Sequence, residues 1–143
     1  GKLHEEIAQL VGRRVLTEIR RAFHSNPQFV EEFKIVRYSA DPGGYFRPHR
    51  DNTTPGTAHR RFAMTLNLNS EDYEGGELRF PEYGNASYKP ATGSAAVFSC
   101  NLLHEATDVL TNRRYVLLSF IYDESGRQQM ERFRQMQSRQ AAR

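Results

Sequence analysis

Between residues 33 and 122 the β-branched and aromatic residues fall into short runs, each closed by Gly, Pro, Asn or Asp: FKIVRY (33–38), YFRPHRD (45–51), RFAMTLNLN (61–69), ELRF (77–80), AAVFSC (95–100) and RRYVLLSFIY (113–122). Many short extended segments with loop punctuation specify a barrel or a sandwich of two sheets. Residues 61–69 fix the orientation of one such segment. Phe62, Met64, Leu66 and Leu68 alternate with Ala63, Thr65, Asn67 and Asn69, so one face is expected in a core and the other toward something polar. DPGG (41–44) supplies a turn.

The flanks read as helices. Leu3, Ile7, Leu10, Val11, Val15, Ile19 and Phe23 recur every three or four residues, the apolar stripe of an amphipathic helix over about 3–23 that lies against a sheet. From Ser125 to Arg143 the chain is strongly polar, with Met130, Phe133 and Met136 its only apolar ladder. That pattern predicts a weakly docked helix with a fraying end. With 143 residues, 38% hydrophobic and 26% charged, the chain is expected to form one domain, residues 1–143 with a core over 33–123, large enough to enclose its own core.

One cysteine, Cys100, excludes an intrachain disulfide. No apolar run approaches the roughly 18 residues of a membrane span, and the N-terminal residues lack the apolar stretch of a secretory peptide. A reducing cytoplasm is the expected setting. The net charge of +3, with basic residues in pairs (13–14, 20–21, 60–61, 113–114), permits a nucleic-acid partner without demanding one.

His49-Arg50-Asp51 is an H-x-D tripeptide in an extended stretch. Side chains two apart on a strand project to one side about 6–7 Å apart, so both can reach one metal ion. His104, directly after AAVFSC, offers a second imidazole. Two imidazoles and a carboxylate on one face of an octahedral ion leave the opposite positions open, as Fe(II) sites that activate O₂ require. Taken alone, H-x-D also arises by chance, and a strand histidine is commonly structural. Ten residues beyond His104, Arg114 opens a strand whose Val116, Leu118 and Phe120 share its face. A guanidinium among apolar neighbours is costly to bury without an anionic partner, and a dicarboxylate gripped by its fork would be one.

Three stretches in this order, IVRYSADPGGYFRPHRDN, RFAMTLNLNSEDYEGGELRFPEYG and GSAAVFSCNLLHEATDVLTNRRYVLLSFIYD, resemble the 2-oxoglutarate and Fe(II)-dependent dioxygenases, most nearly the prolyl 4-hydroxylase-like branch. The resemblance implies a mainly β fold with flanking helices, a double-stranded β-helix (jelly roll) packed against the N-terminal helix. It implies Fe(II) on His49, Asp51 and His104, and 2-oxoglutarate held by Arg114, with Arg113 pointing outward. It further implies O₂ as co-substrate, ascorbate as a candidate reductant, and a hydroxylation that releases succinate and CO₂. Tyr38 matches the family tyrosine that hydrogen-bonds the co-substrate, and Tyr45 stands where an aromatic borders the cleft. Thr65 and Asn67 are expected toward the same pocket, Asn67 where relatives often carry a tyrosine that contacts the far carboxylate.

The primary substrate, a protein residue or a small metabolite, lies beyond the sequence, because specificity resides in loops such as Asn52–His59 and Tyr83–Pro90. Two rival functions are a jelly-roll metal-binding module without turnover and a nucleic-acid demethylase. The second ranks lower because the further arginine pattern of the DNA-repair branch is missing after His104. Other reactive residue types have plainer expected roles. Cys100 reads as a small core hydrophobe, Gly75 and Gly76 as a tight turn, Pro48 as a fixed extended backbone, and His59 as a solvated loop histidine or, less commonly, a substrate contact.

Overall fold

The computed structural model describes residues 1–40 and 46–143. Among these residues nine strands form two antiparallel sheets. In the larger, β9 (Arg113–Tyr122) is flanked on one edge by β1 (Phe29–Val30) and β2 (Lys34–Ser39) and on the other by β4 (Phe62–Asn67), which pairs β7 (Ala95–Ser99). The smaller runs β3 (Phe46–His49), β8 (His104–Ala106), β5 (Leu78–Arg79) and β6 (Ser87–Tyr88). Facing sheets of this kind are the jelly roll that the strand punctuation and the resemblance lead one to expect.

The alternation in β4 and β9 divides the core in two. Phe62, Met64 and Ile121 leave the outer face of the larger sheet and pack with Val11, Leu16 and Ile19 of the N-terminal helical segment. Ala63, Phe98 and Phe120 leave the inner face and meet Leu78 and Cys100 between the sheets. Ile19, Met64 and Ile121 are almost wholly buried, each contributing about 1.5–3 kcal/mol. Among the described residues no helix is long and apolar enough to cross a membrane.

The N-terminal helix departs from a single stripe. It runs as α1 (Lys2–Leu10), a π-helical segment (Val11–Leu16) and α2 (Thr17–Phe23). A π turn takes an extra residue per turn and so rotates everything after it. Leu16, outside the expected stripe, is therefore buried beside the half-buried Val15, and Phe23, inside it, is exposed; Leu3 and Leu10, before the π segment, are exposed as well. The C-terminal helix α3 (Glu124–Ala141) is firmly started, since the Asp123 carboxylate accepts the Gly126 N–H at 2.7 Å. Met130 and Phe133 line its cleft, and Met136 is exposed. Strand β4 stops at Asn67, leaving Leu68 exposed rather than in the core. The DPGG turn and Tyr45 lie outside the described residues.

Candidate active site

Strands β3 and β8 place the two histidines directly opposite each other, with His49 and His104 as register partners and ring centroids 4.4 Å apart. Each ring meets the carbonyl two residues before it, His49 Nδ1 at 2.8 Å from Arg47 O and His104 Nδ1 at 3.0 Å from Leu102 O. A carbonyl only accepts, so in both rings Nδ1–H donates and the neutral imidazole presents its lone pair at Nε2. Those Nε2 atoms lie 3.2 and 3.4 Å from the two Asp51 carboxylate oxygens. Burial holds the His104 pKa below its ordinary 6.5, which favours the neutral ring.

Asp51 is not on the strand, as the H-x-D pattern suggests, but in the turn just past its end. Its N–H donates to Cys100 O at 3.2 Å. Arg50 binds Glu82 and Asn101 O, and Asn52 binds the Asn101 side chain at 2.7 Å, so the ligand segment is pinned on both sides of Asp51. One donor atom from each of His49, Asp51 and His104 lies within 4.8 Å of the others. Two imidazoles and a carboxylate converging in this way fit a divalent cation, and this donor set is that of non-haem Fe(II) sites.

The triad borders a cavity of about 280 Å³ that is also lined by Tyr38, Thr65, Arg114, Val116, Leu118 and Phe120. The volume sits at the small end of ligand pockets, roughly 300–1,000 Å³. The face expected from the alternation of β9 is the face that lines it. Arg113 is exposed and Arg114 is 6% exposed. No hydrogen bond or ion pair joins Arg114 to the described residues, and its Nε is buried without a partner. Tyr38, the register partner of Arg114, puts its ring 5.1 Å from the guanidinium carbon. Burial raises the Tyr38 pKa against an opposing pull from Arg114, so the phenol keeps its proton as a donor. A buried, unpaired guanidinium beside a protonated phenol fits the carboxylate of a small diacid.

Asn67 is not brought to this cavity. Its amide donates to Pro90 O at 2.7 Å and its side chain is spent holding the 90–94 turn, whereas Thr65 on the same face does line the space. His59 is not a solvated loop histidine. It is 5% exposed, 2.7 Å from the Glu31 carboxylate, and edge-on to Tyr122. Glu31 also receives Arg60 Nε and Nη2 at 3.1 and 3.2 Å.

Arg60 is a cavity-lining residue that the sequence does not single out. It lies flat over Phe120 at 3.6 Å, lines the cavity, and reaches the Asp51 carbonyl at 3.4 Å. Its membership in an RR pair is the only local signal, and its partner is 29 residues away. Cys100 is fully buried, and burial, helped by Asp51, pushes its thiol up to about 12, so it is the core hydrophobe expected.

The chain belongs to the 2OG-Fe(II) oxygenase superfamily, whose family model matches residues 33–122. It is 32% identical over 103 residues to rat procollagen-lysine,2-oxoglutarate 5-dioxygenase 1, covering 69% of this chain and 13% of that protein. A PKHD-type hydroxylase of Crocosphaera subtropica is likewise 32% identical over 103 residues, covering 68% of this chain and 45% of that one. A crystal structure of a 2OG-Fe(II) oxygenase family oxidoreductase from Burkholderia pseudomallei superposes with a TM-score of 0.66 at 25% identity, over 82% of this chain and 55% of that one. The chain thus spans less than half the length of these curated relatives.

Proposed function

We propose that residues 1–143 act as one 2-oxoglutarate-dependent Fe(II) dioxygenase domain that hydroxylates a C–H bond of a protein residue or a small metabolite. The observation that carries this is the pairing, in one cavity, of three converging metal donors with a buried guanidinium that has no anionic partner. In this reading His49, Asp51 and His104 hold Fe(II), with Arg47 O and Leu102 O fixing the ring tautomers. Arg114 grips the far carboxylate of 2-oxoglutarate and Tyr38 donates a hydrogen bond to it. Bound Fe(II) supplies the O₂-dependent chemistry in which 2-oxoglutarate loses CO₂ to give succinate while one oxygen atom enters the substrate C–H bond. Val116, Leu118 and Phe120 keep bulk water from the reacting atoms. The names of the relatives make peptidyl lysine and proline the side chains to assay first, and a chain with one buried thiol suits a reducing compartment such as the cytoplasm.

The test is succinate release from 2-oxoglutarate with Fe(II) and O₂, with and without a candidate peptide, for the wild type and Asp51→Ala. Turnover in the wild type, and neither turnover nor Mn(II) binding in Asp51→Ala, is expected. Tight metal binding without any 2-oxoglutarate consumption would identify a non-catalytic module instead.

A further inference from the structure

We propose that Tyr73, Gly76 and Val109 form a slot that fixes how deeply the Arg114 guanidinium reaches into the cavity, and thereby set the chain length of the 2-oxo diacid accepted there. This rests on the assignment of Arg114 to the co-substrate. Arg114 carries no polar tether to the described residues, so its position is set by packing. The Tyr38 ring stands 5.1 Å from its guanidinium carbon. Beside its stem is Gly76, where a Cβ would lie 2.9 Å from Arg114 Cδ, 3.2 Å from Tyr73 Cε2 and 3.2 Å from Val109 Cγ2. The arginine stem therefore passes through the space that a side chain at residue 76 would fill. The positive φ of Gly76, +61°, suits glycine for the same position.

The slot walls cannot easily retreat. Gly76 N–H donates to Asp108 O at 3.0 Å, Leu110 N–H to Glu74 O at 2.8 Å and Thr107 N–H to Glu77 O at 2.8 Å, lacing segment 74–77 to segment 107–110. Tyr73 and Val109 are 3% and 4% exposed. A guanidinium held by a rigid wall meets a carboxylate at one depth only, and a rigid supporting shell of this kind defines binding geometry. Tyr73, Gly76 and Val109 are positioning residues, acting on the ligand through Arg114.

Removing part of the wall lets the stem settle back and makes room for about one more methylene in the ligand. One methylene in a well-fitted pocket discriminates by roughly 10- to 200-fold. The experiment measures calorimetric binding of 2-oxoglutarate and 2-oxoadipate to Mn(II)-loaded wild type, Val109→Ala and Val109→Ile. Val11→Ala serves as a control, an equally buried valine on the outer core that lies away from the slot. The wild type is expected to prefer 2-oxoglutarate, Val109→Ala to shift the affinity ratio at least about fivefold toward 2-oxoadipate, and Val109→Ile to shift it the other way. Val11→Ala should leave the ratio alone while lowering Tm as Val109→Ala does. An unchanged ratio in both Val109 variants, or an equal shift in Val11→Ala, overturns the slot. Failure of the wild type to bind either diacid overturns the co-substrate assignment and the slot with it.

Discussion

Replacing Arg114 by Met should move stability and co-substrate affinity in opposite directions. The side chain is 6% exposed, its Nε has no partner, and no carboxylate of the described residues neutralises it. Burying an unsatisfied polar donor costs about 1–3 kcal/mol, and apolar replacement of a buried charge is often neutral or stabilising. Methionine has a similar unbranched stem for the groove between Tyr38 and Gly76 and carries no charge, so the ligand-free variant should gain about 1–2 kcal/mol. For a chain of this length that is a rise in Tm of roughly 3–8 °C. The loss of a bidentate, charge-assisted grip costs about 3–4 kcal/mol of binding, or roughly 10²- to 10³-fold in Kd for 2-oxoglutarate. Mn(II) affinity should hold, because the metal donors come from β3, β8 and the turn after β3. Thermal melts of Mn(II)-loaded protein with and without 2-oxoglutarate read both effects together. At a ligand concentration a hundredfold above the wild-type Kd, the wild type gains about 2.7 kcal/mol and the variant almost nothing. The ranking of the two melts should therefore be reversed or nearly so by the ligand. A ligand-free Arg114→Met that melts well below wild type and still binds 2-oxoglutarate normally would refute the argument that this guanidinium waits for an anion.

Glu31→Gln leaves His59 and Arg60 sharing one neutral acceptor, so a loss of about 2 kcal/mol is expected, read as a fall of the urea midpoint by roughly 1 M; an unmoved midpoint would count the network as surface decoration. Cys100 should ignore a disulfide reagent at pH 8 in the native protein and react with one equivalent in urea, since it is fully buried with its pKa pushed up to about 12. The same shift sets a sign for pH. Between the ordinary 9.0 and about 12 the unfolded chain gives up a proton that the native thiol keeps, so stability from this group is whole below pH 9.0 and declines as pH rises toward 12; urea midpoints at pH 8 and pH 10 check it.

Which parts of this site could be read from the sequence follows from what period two can and cannot carry. In β9 the alternation assigned Arg114, Val116, Leu118 and Phe120 to one face, and those four line the cavity, because ten uninterrupted residues admit one phase only. The same reasoning at Asn67 named the right face yet missed the outcome, since the strand ends there and the Pro90 carbonyl takes the amide. Parity says where a side chain points and nothing about what it meets. The π turn at Val11–Leu16 was hidden for a related reason. Its effect is a one-residue change of phase, which a stripe of mixed three- and four-residue spacings absorbs without trace. His59 and Arg60 could not be placed because their partner, Glu31, is 28 and 29 residues away in the link between β1 and β2. The three-residue strand β8 gives no signal of its own, though its register against β3 brings the two imidazoles together.

The two halves of the site belong to different sheets. His49 and His104 stand on β3 and β8 of the smaller sheet, with Asp51 in the turn that follows β3, while Tyr38, Thr65 and Arg114 stand on β2, β4 and β9 of the larger. In the proposed reading, metal geometry is thus set by a cross-strand register of one sheet and the turn after it, and co-substrate geometry by strand alternation in the other. What joins them is the separation of the sheets, filled by Leu78, Phe98, Cys100 and Phe120. The spacer touches both halves, since Phe98 packs edge-on against His104 with ring centroids 4.7 Å apart and Phe120 carries the Arg60 guanidinium that reaches Asp51. Because a close-packed interior transmits a change of even one methylene to its neighbours, the inner core does more than stabilise the fold. In the proposed reading it also sets the distance across which a diacid bridges the metal donors and Arg114, and so holds the two subsites, built on different sheets, in register.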